Sequence, residues 1–294
     1  MANISLGTVQ FGLNYGVSNS TGQVLKKDVS EIFKFAYSNG INIIDTASFY
    51  GNSEKIIGEV IDKGDWKIIT KTPKFNKKNI QKNELDFLHE SFNSSLLKLG
   101  VEKIYGLLLH SSADLISPGG DKLLSEMEKL KSRGLVEKIG VSVYTGSQVD
   151  KILERFDIDI IQLPLSIFDQ RLVSTGHIDK IKKRDIEVHA RSIFLQGLVL
   201  MDLHKIPSYF LPILPKIKLF EEISKKYSMS KLDLAIQFIK SIDGVDSAIV
   251  GVTDTNQLKE IVHSFSLNSS LNKLEFTKLA INNSNFVNPS KWKI

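Results

Sequence analysis

Eight strands alternating with helices and closed into a (β/α)8 barrel of parallel strands is the fold class this sequence predicts, and three observations predict it. Short apolar runs recur eight times along the 294 residues, at 4–9, 41–44, 66–69, 104–109, 136–141, 158–163, 186–188 and 247–250. Most are continuous rather than alternating, the pattern of strands buried on both faces. The segments between them carry a helical period, and strict strand–helix alternation over ~250 residues is the size of such a barrel.

Taken in order, the first run leads into QFGLNYGVSN, which lacks the G-x-G-x-x-G turn that usually follows the first strand of a doubly wound sheet. Val29, Ile32, Phe33 and Ala36 then fall on one helical face, and Leu85, Leu88, Phe92, Leu96 and Leu99 mark a longer helix. Further helices read at 122–132, 148–156, 178–183, 216–227, 232–241 and 257–265. Glycines stand where helices stop, in SNG at 38–40, at Gly100 and in RGL at 133–135. The stretch 194–213, with Pro207 and Pro212, reads as a loop over one barrel face. No composition break or repeat divides the chain, so a single domain over 1–294 is expected.

Composition narrows the function. With 42% hydrophobic and 24% charged residues the chain is an ordinary soluble globular protein. It has no Cys, which removes disulfides, thiolate zinc sites and a cysteine nucleophile. No basic start precedes an apolar leader, and no apolar run approaches the ~20 residues that span a bilayer, so a cytoplasmic location is expected. The net charge of +5 is spread in pairs such as Lys77 and Lys78 or Lys182 and Lys183, which suits solvated helix faces better than nucleic acid. Neither H-x-H at a strand end nor H-E-x-x-H is present, and no metal site is expected.

In a barrel of this kind chemistry gathers at the C-terminal ends of the strands. There the sequence places Asp45 after the second run, Tyr50 in the loop beyond it, Lys71 after the third and His110 after the fourth. Each alone has a bland reading: a loop cap, a packing ring, a snorkelling amine, a core histidine. Together they suit carbonyl reduction, in which charge developing on oxygen must be met by a proton donor and fixed dipoles. Asp45 would hold Lys71 in place and charged, the ammonium would lower the pKa of Tyr50, and His110 would orient the carbonyl and share the proton traffic.

The segments LGTVQFG (6–12), IDTASFYGNSE (44–54), LLLH (107–110), KIGVS (138–142) and VGVTDTNQLKE (250–260), with K-T at 71–72, resemble the aldo-keto reductase family in order and spacing over nearly the whole chain. The resemblance implies a TIM barrel that binds NADPH or NADH without a dinucleotide-binding domain, with Asp45, Tyr50, Lys71 and His110 as its catalytic tetrad. It places the nicotinamide by Ser142 and Gln162 and near Gly7 and Thr8. The pyrophosphate falls at ARSIFLQGL, with Ser192, Phe194, Gln196 and Gly197. The adenosine end falls along Gly251, Val252, Thr253 and Gln257, where Thr253 or Asp254 can start a helix whose free N–H groups favour an anion.

Three departures from the family pattern stand out. Val143 follows Ser142 where many members carry Asn, so one amide contact to the nicotinamide is missing. Gly251 and Gln257 stand where NADPH-selective members commonly place basic residues; the expectation leans to NADPH, with NADH the alternative. Only residues 1–3 precede the first strand, so the N-terminal hairpin that often closes the barrel floor is short or absent. Substrate contacts are expected from Gln10, Tyr15, Phe49 and Trp292, with Phe11, Asn14, Phe168 and Gln170 as further candidates at the mouth. A small carbonyl compound, sugar-like in polarity, is the expected partner. The competing reading is a non-catalytic barrel that binds nicotinamide as a sensor.

Overall fold

A computed structural model describes residues 2–61, 64–268 and 273–293. Eight strands pair in chain order: β1 (Asn3–Gly7), β2 (Ile43–Asp45), β3 (Lys67–Lys71), β4 (Ile104–Leu109), β5 (Val136–Ser142), β6 (Ile160–Pro164), β7 (Glu187–Arg191) and β8 (Ser247–Gly251). All neighbours are parallel, and β8 returns to β1 through the register Asn3↔Ser247 to Gly7↔Gly251, closing the barrel. Helices connect the strands and lie outside them, burying faces such as Val29, Ile32, Phe33 and Ala36.

The helices begin and end where their sequences satisfy free backbone groups. Lys82–Leu99 opens with a capping box between Gln81 and Glu84 and stops at Gly100, whose φ of 67° is left-handed. Thr145 with Gln148, and Ser230 with Asp233, make the same reciprocal cap for Gly146–Arg155 and Lys231–Lys240. The stretch 194–213 runs through three 3-10 turns, at Leu195–Leu200, Leu203–Lys205 and Ser208–Ile213.

Two strand ends differ from the sequence reading. Val9 opens a short helix, Val9–Gly12, instead of ending β1. β7 continues past Val188 to Arg191, because His189 and Arg191 fall at alternate positions and interrupt the apolar run without interrupting backbone pairing.

That alternation organises the interior. Ile69, Leu108 and Ile160 pack together with Ile43 inside the barrel. Two residues further along the same strands, and therefore on the same inward face, stand Lys71, His110, Gln162 and Asp45. Ser142 and Arg191 occupy the corresponding places after Gly140 and His189. An apolar layer is thus overlaid by a polar one at the C-terminal end.

At the opposite end of the barrel a polar cluster gathers around Tyr105. Lys67 and Lys138 lie over the Tyr105 ring at 5.1 and 5.2 Å from its centroid. The Tyr105 hydroxyl donates to Glu187 at 2.8 Å, and Glu187 also receives Lys138.

Candidate active site

The loop after β2 is locked onto the loop after β1. The Thr8 N–H donates to the Asp45 carbonyl at 3.0 Å, and the Thr8 hydroxyl donates to the same oxygen at 3.0 Å. The Ser53 hydroxyl donates to the Thr8 carbonyl at 2.9 Å. Between these ties Tyr50 sits in a turn whose N–H donates to the Ala47 carbonyl. Gly51, at φ 57°, takes a conformation that side chains rarely adopt.

Above the apolar layer, Lys71 Nζ donates to Asp45 Oδ1 at 2.7 Å and to the Thr46 carbonyl at 2.8 Å. The other Asp45 oxygen accepts from Gln162 Nε2 at 2.7 Å. Lys71 is 1% and Asp45 4% exposed, so the carboxylate that closes an apolar run is compensated on both oxygens. The ammonium lies 5.2 Å from the centre of the Tyr50 ring, and the His110 and Tyr50 rings meet edge to face at 6.1 Å. The three residues predicted at the strand ends and Tyr50 from the loop beyond β2 therefore come together.

Their electrostatics differ from the expectation in one respect. Burial raises the Tyr50 phenol above its ordinary value, with Asp45 adding to the rise and Arg191 opposing it. The expected lowering by Lys71 does not develop, since burial and the Asp45 carboxylate, which holds the ammonium at hydrogen-bonding distance, both act in the opposite sense. Burial lowers the Lys71 pKa while Asp45 opposes the drop. His110 is pushed down to about 3 by burial, with Lys71, Lys74 and Arg191 adding to the effect. It is a neutral imidazole at physiological pH, able to donate one hydrogen bond but not to act as an imidazolium acid.

These residues line one cleft of about 1240 Å³, larger than the usual few hundred to ~1,000 Å³ of a small-molecule site and suited to a dinucleotide plus substrate. It runs from Phe49 and Tyr50 past Ser142, Gln162, Ser192 and Phe194 to Thr253 and Gln257, with Gly7, Thr8, Gln10, Tyr15, Gln196, Gly197 and Gly251 on its walls. Two walls are bridged: Gln196 Nε2 donates to the Tyr15 hydroxyl at 3.0 Å, and the Ser18 N–H reaches the Gln196 carbonyl. Gly197 permits this closure, since a Cβ there would fall 1.7 Å from Ser18 Oγ. Among the described residues Gln10 Oε1 and His110 Nδ1 are buried polar atoms without a partner, as expected of a site built for a polar ligand.

Two expected contacts lie elsewhere. Val252 is buried in the core, because the alternation of β8 turns it away while Gly251 faces the cleft. Trp292 packs its ring on Phe210 at 4.8 Å, and Pro289 and Ser290 reach the cleft from the tail instead. Of the other mouth candidates, Phe11 packs on Phe33 and Phe168 on Phe220 in the core. Gln170 donates to the Ile167 and Phe276 carbonyls, and Asn14 lies off the cleft wall.

The anion site expected at the far end is also filled from within. Helix Thr255–Ser266 is capped by Asp254, whose Oδ1 accepts the Asn256 and Gln257 N–H groups at 2.8 and 3.0 Å. Gln257 Oε1 accepts the Thr253 N–H at 3.0 Å. With Asp254 and Glu260 on the wall here, this end of the cleft is acidic.

Sequence reasoning passed over Arg191 and Tyr144. Arg191 ends β7 in the inward row, and its guanidinium stacks on the Tyr144 ring at 4.1 Å; both line the cleft. The signal was available, since an arginine at the end of a barrel strand is as conspicuous as Lys71. It was hidden because the apolar run of β7 stops at Val188. Among the described residues no helix is long and apolar enough to cross a membrane, and no group of three or more His, Cys, Asp or Glu side chains could hold a metal ion.

Comparison with known proteins gives a consistent picture. A sequence model described as the aldo/keto reductase family matches residues 3–281. An NADH-specific methylglyoxal reductase of Escherichia coli is 25% identical over 268 residues, covering 80% of this chain and 82% of its own length. An L-galactose dehydrogenase of Arabidopsis thaliana is 24% identical over 284 residues, covering 88% and 84%. Among solved structures, an aldo-keto reductase of Bacillus halodurans in its holo form superposes with a TM-score of 0.75 at 21% identity, covering 95% of this chain and 92% of that one.

Proposed function

The chain belongs to the aldo/keto reductase family of NAD(P)H-dependent oxidoreductases, and from that premise we propose that it reduces a small hydroxylated aldehyde or ketone with NADH, Tyr50 giving the proton. The observation that carries this reading is the convergence of Tyr50, His110 and the buried Lys71–Asp45 pair at one end of the barrel.

A reduced nicotinamide bound in the cleft would be the source of the hydride that the carbonyl carbon receives. Tyr50, kept protonated by burial, donates its proton to the oxygen as charge develops there. Neutral His110 donates a hydrogen bond to the same oxygen and fixes its direction. Lys71, anchored by Asp45 and the Thr46 carbonyl, holds its ammonium 5.2 Å from the centre of the Tyr50 ring, and the phenolate left behind regains its proton from solvent through the open cleft. Asp45 positions Lys71, and Gln162 positions Asp45.

In this reading the coenzyme would lie along cleft residues already named: Ser142 and Gln162 for the nicotinamide, Ser192, Phe194, Gln196 and Gly197 for the pyrophosphate, and Gly251, Thr253 and Gln257 for the adenosine. NADH is preferred to NADPH in this reading because Asp254 and Glu260 would repel a 2′-phosphate, while Lys205, which also lines the cleft, is paired with Asp202. The name of the Escherichia coli relative agrees. Gln10, Tyr15, Phe49 and Asn76 give the mouth the mixed polarity of a polyol site, and a sugar or short dicarbonyl is the substrate class favoured. One domain over 1–294 belongs to the same reading, supported by the single closed sheet.

The test is a fluorescence titration with NADH and NADPH, followed by turnover of nitrobenzaldehyde. NADH should bind more tightly than NADPH, and Tyr50→Phe should lose about 10²–10⁴-fold in turnover while still binding NADH. Undiminished turnover by Tyr50→Phe would overturn the assigned acid, and failure of both nucleotides to bind would overturn the reductase reading.

A further inference from the structure

We propose that Arg191 takes the place of the missing amide beside the nicotinamide and makes the site select the reduced, uncharged ring over the oxidised, cationic one. The inference rests on the reductase reading above and concerns the coenzyme end of the same cleft.

Arg191 Nη2 donates to the carbonyl of Val143 at 3.0 Å, the residue that stands where many relatives carry Asn. Its Nε donates to Ser142 Oγ at 3.3 Å and its Nη1 to Ser192 Oγ at 3.4 Å. The guanidinium thus spans the residue assigned to the nicotinamide and the first residue assigned to the pyrophosphate, and Tyr144 holds it flat from one side at 4.1 Å.

Every one of these anchors is neutral. Among the described residues no carboxylate pairs with Arg191: Asp45 is committed to Lys71, and Asp202, further along the cleft, to Lys205. An arginine does not lose its proton, so the cleft holds a permanent, uncompensated positive charge against Ser142. Its reach is visible in the groups around it, since Arg191 acts on Tyr15, Tyr50, Lys71 and His110.

A guanidinium next to a neutral dihydronicotinamide costs nothing and can donate to its carboxamide. The same guanidinium next to the cationic ring is a like-charge contact in a partly desolvated cleft. It also opposes the charge that builds on the ring as hydride leaves, so the benefit falls on coenzyme exchange: oxidised product leaves readily and competes weakly with the next reduced molecule.

The experiment measures binding of NADH and NAD⁺ to the whole protein by calorimetry, without substrate. The wild type should bind NADH at least about tenfold more tightly than NAD⁺. Arg191→Gln should shrink that ratio about tenfold, chiefly by tightening NAD⁺, and Arg191→Lys, which keeps the charge, should retain most of it. A ratio unchanged in Arg191→Gln while NADH still binds overturns the inference and leaves the reductase reading standing. Binding of neither form to the wild type overturns both. If Arg191→Gln does not fold, the wild-type ratio at rising salt decides: it must fall as charge is screened, and a constant ratio refutes the proposal.

Discussion

Lys71 and Asp45 form an ion pair at 2.7 Å with both side chains almost entirely withdrawn from water. Such a pair contributes less through its own attraction than through what its loss exposes, because each partner pays for the other's desolvation. Lys71→Met leaves the Asp45 carboxylate buried with Gln162 as its remaining side-chain donor. The variant should be destabilised by about 3–5 kcal/mol. Adding Asp45→Asn should recover part of that loss, so the double variant is more stable than the sum of the singles predicts by about 1 kcal/mol or more. Urea denaturation of the four proteins checks this, and strict additivity would mean that the two charges do not depend on one another.

His110 and Tyr50 together define a pH prediction. The His110 pKa in the folded protein is about 3, below the ordinary 6.5 of an unfolded chain. Between those values the unfolded chain binds a proton that the folded protein refuses, so the stability that goes with neutral His110 is present above pH 6.5 and is lost progressively as pH falls toward 3. Thermal melts should therefore show a fall in stability between pH 6.5 and 5 that is reduced in His110→Gln. Because Tyr50 is raised rather than lowered, the reduction rate at saturating coenzyme should be flat from about pH 6 to 9, with no inflection near 6.5. Stopped-flow measurement of the rate across that range checks it.

Gly12 tests how the proton donor is positioned. A Cβ on Gly12 would lie 1.8 Å from the Tyr50 carbonyl, and one on Gly51 would lie 2.3 Å from the Gly12 carbonyl, so the two loops meet backbone to backbone. Gly12→Ala must push the Tyr50 turn outward. A displacement of about 1 Å of a reacting group can cost on the order of 10²-fold in rate. We expect Gly12→Ala to lose roughly tenfold to a hundredfold in turnover with NADH affinity changed less than about threefold. Wild-type turnover in this variant would show that the Tyr50 turn absorbs the methyl elsewhere.

The barrel was legible because continuous apolar runs alternating with helical periods have few other solutions. The four residues at the strand ends were legible for a related reason. A strand alternates its side chains, so a charge two residues past an inward apolar one, as Asp45 is past Ile43 and Lys71 past Ile69, faces the mouth of the barrel. Aromatic residues carry no such address: Trp292, Phe11 and Phe168 look as suited to a mouth as to a core, and only packing on Phe210, Phe33 and Phe220 assigns them.

By itself, then, the sequence determined the closed parallel barrel and the placement of Asp45, Lys71 and His110 at its C-terminal end, since these follow from local periodicity, whereas Arg191 was not read from it. Tertiary structure alone decided how those groups behave. That Asp45 pairs with Lys71, that Tyr50 and His110 are buried enough to stay neutral, and that Arg191 stands without a counter-ion beside Ser142 are all matters of distance between strands apart in the chain. Charge and desolvation act through space, and the spacing of letters does not carry them.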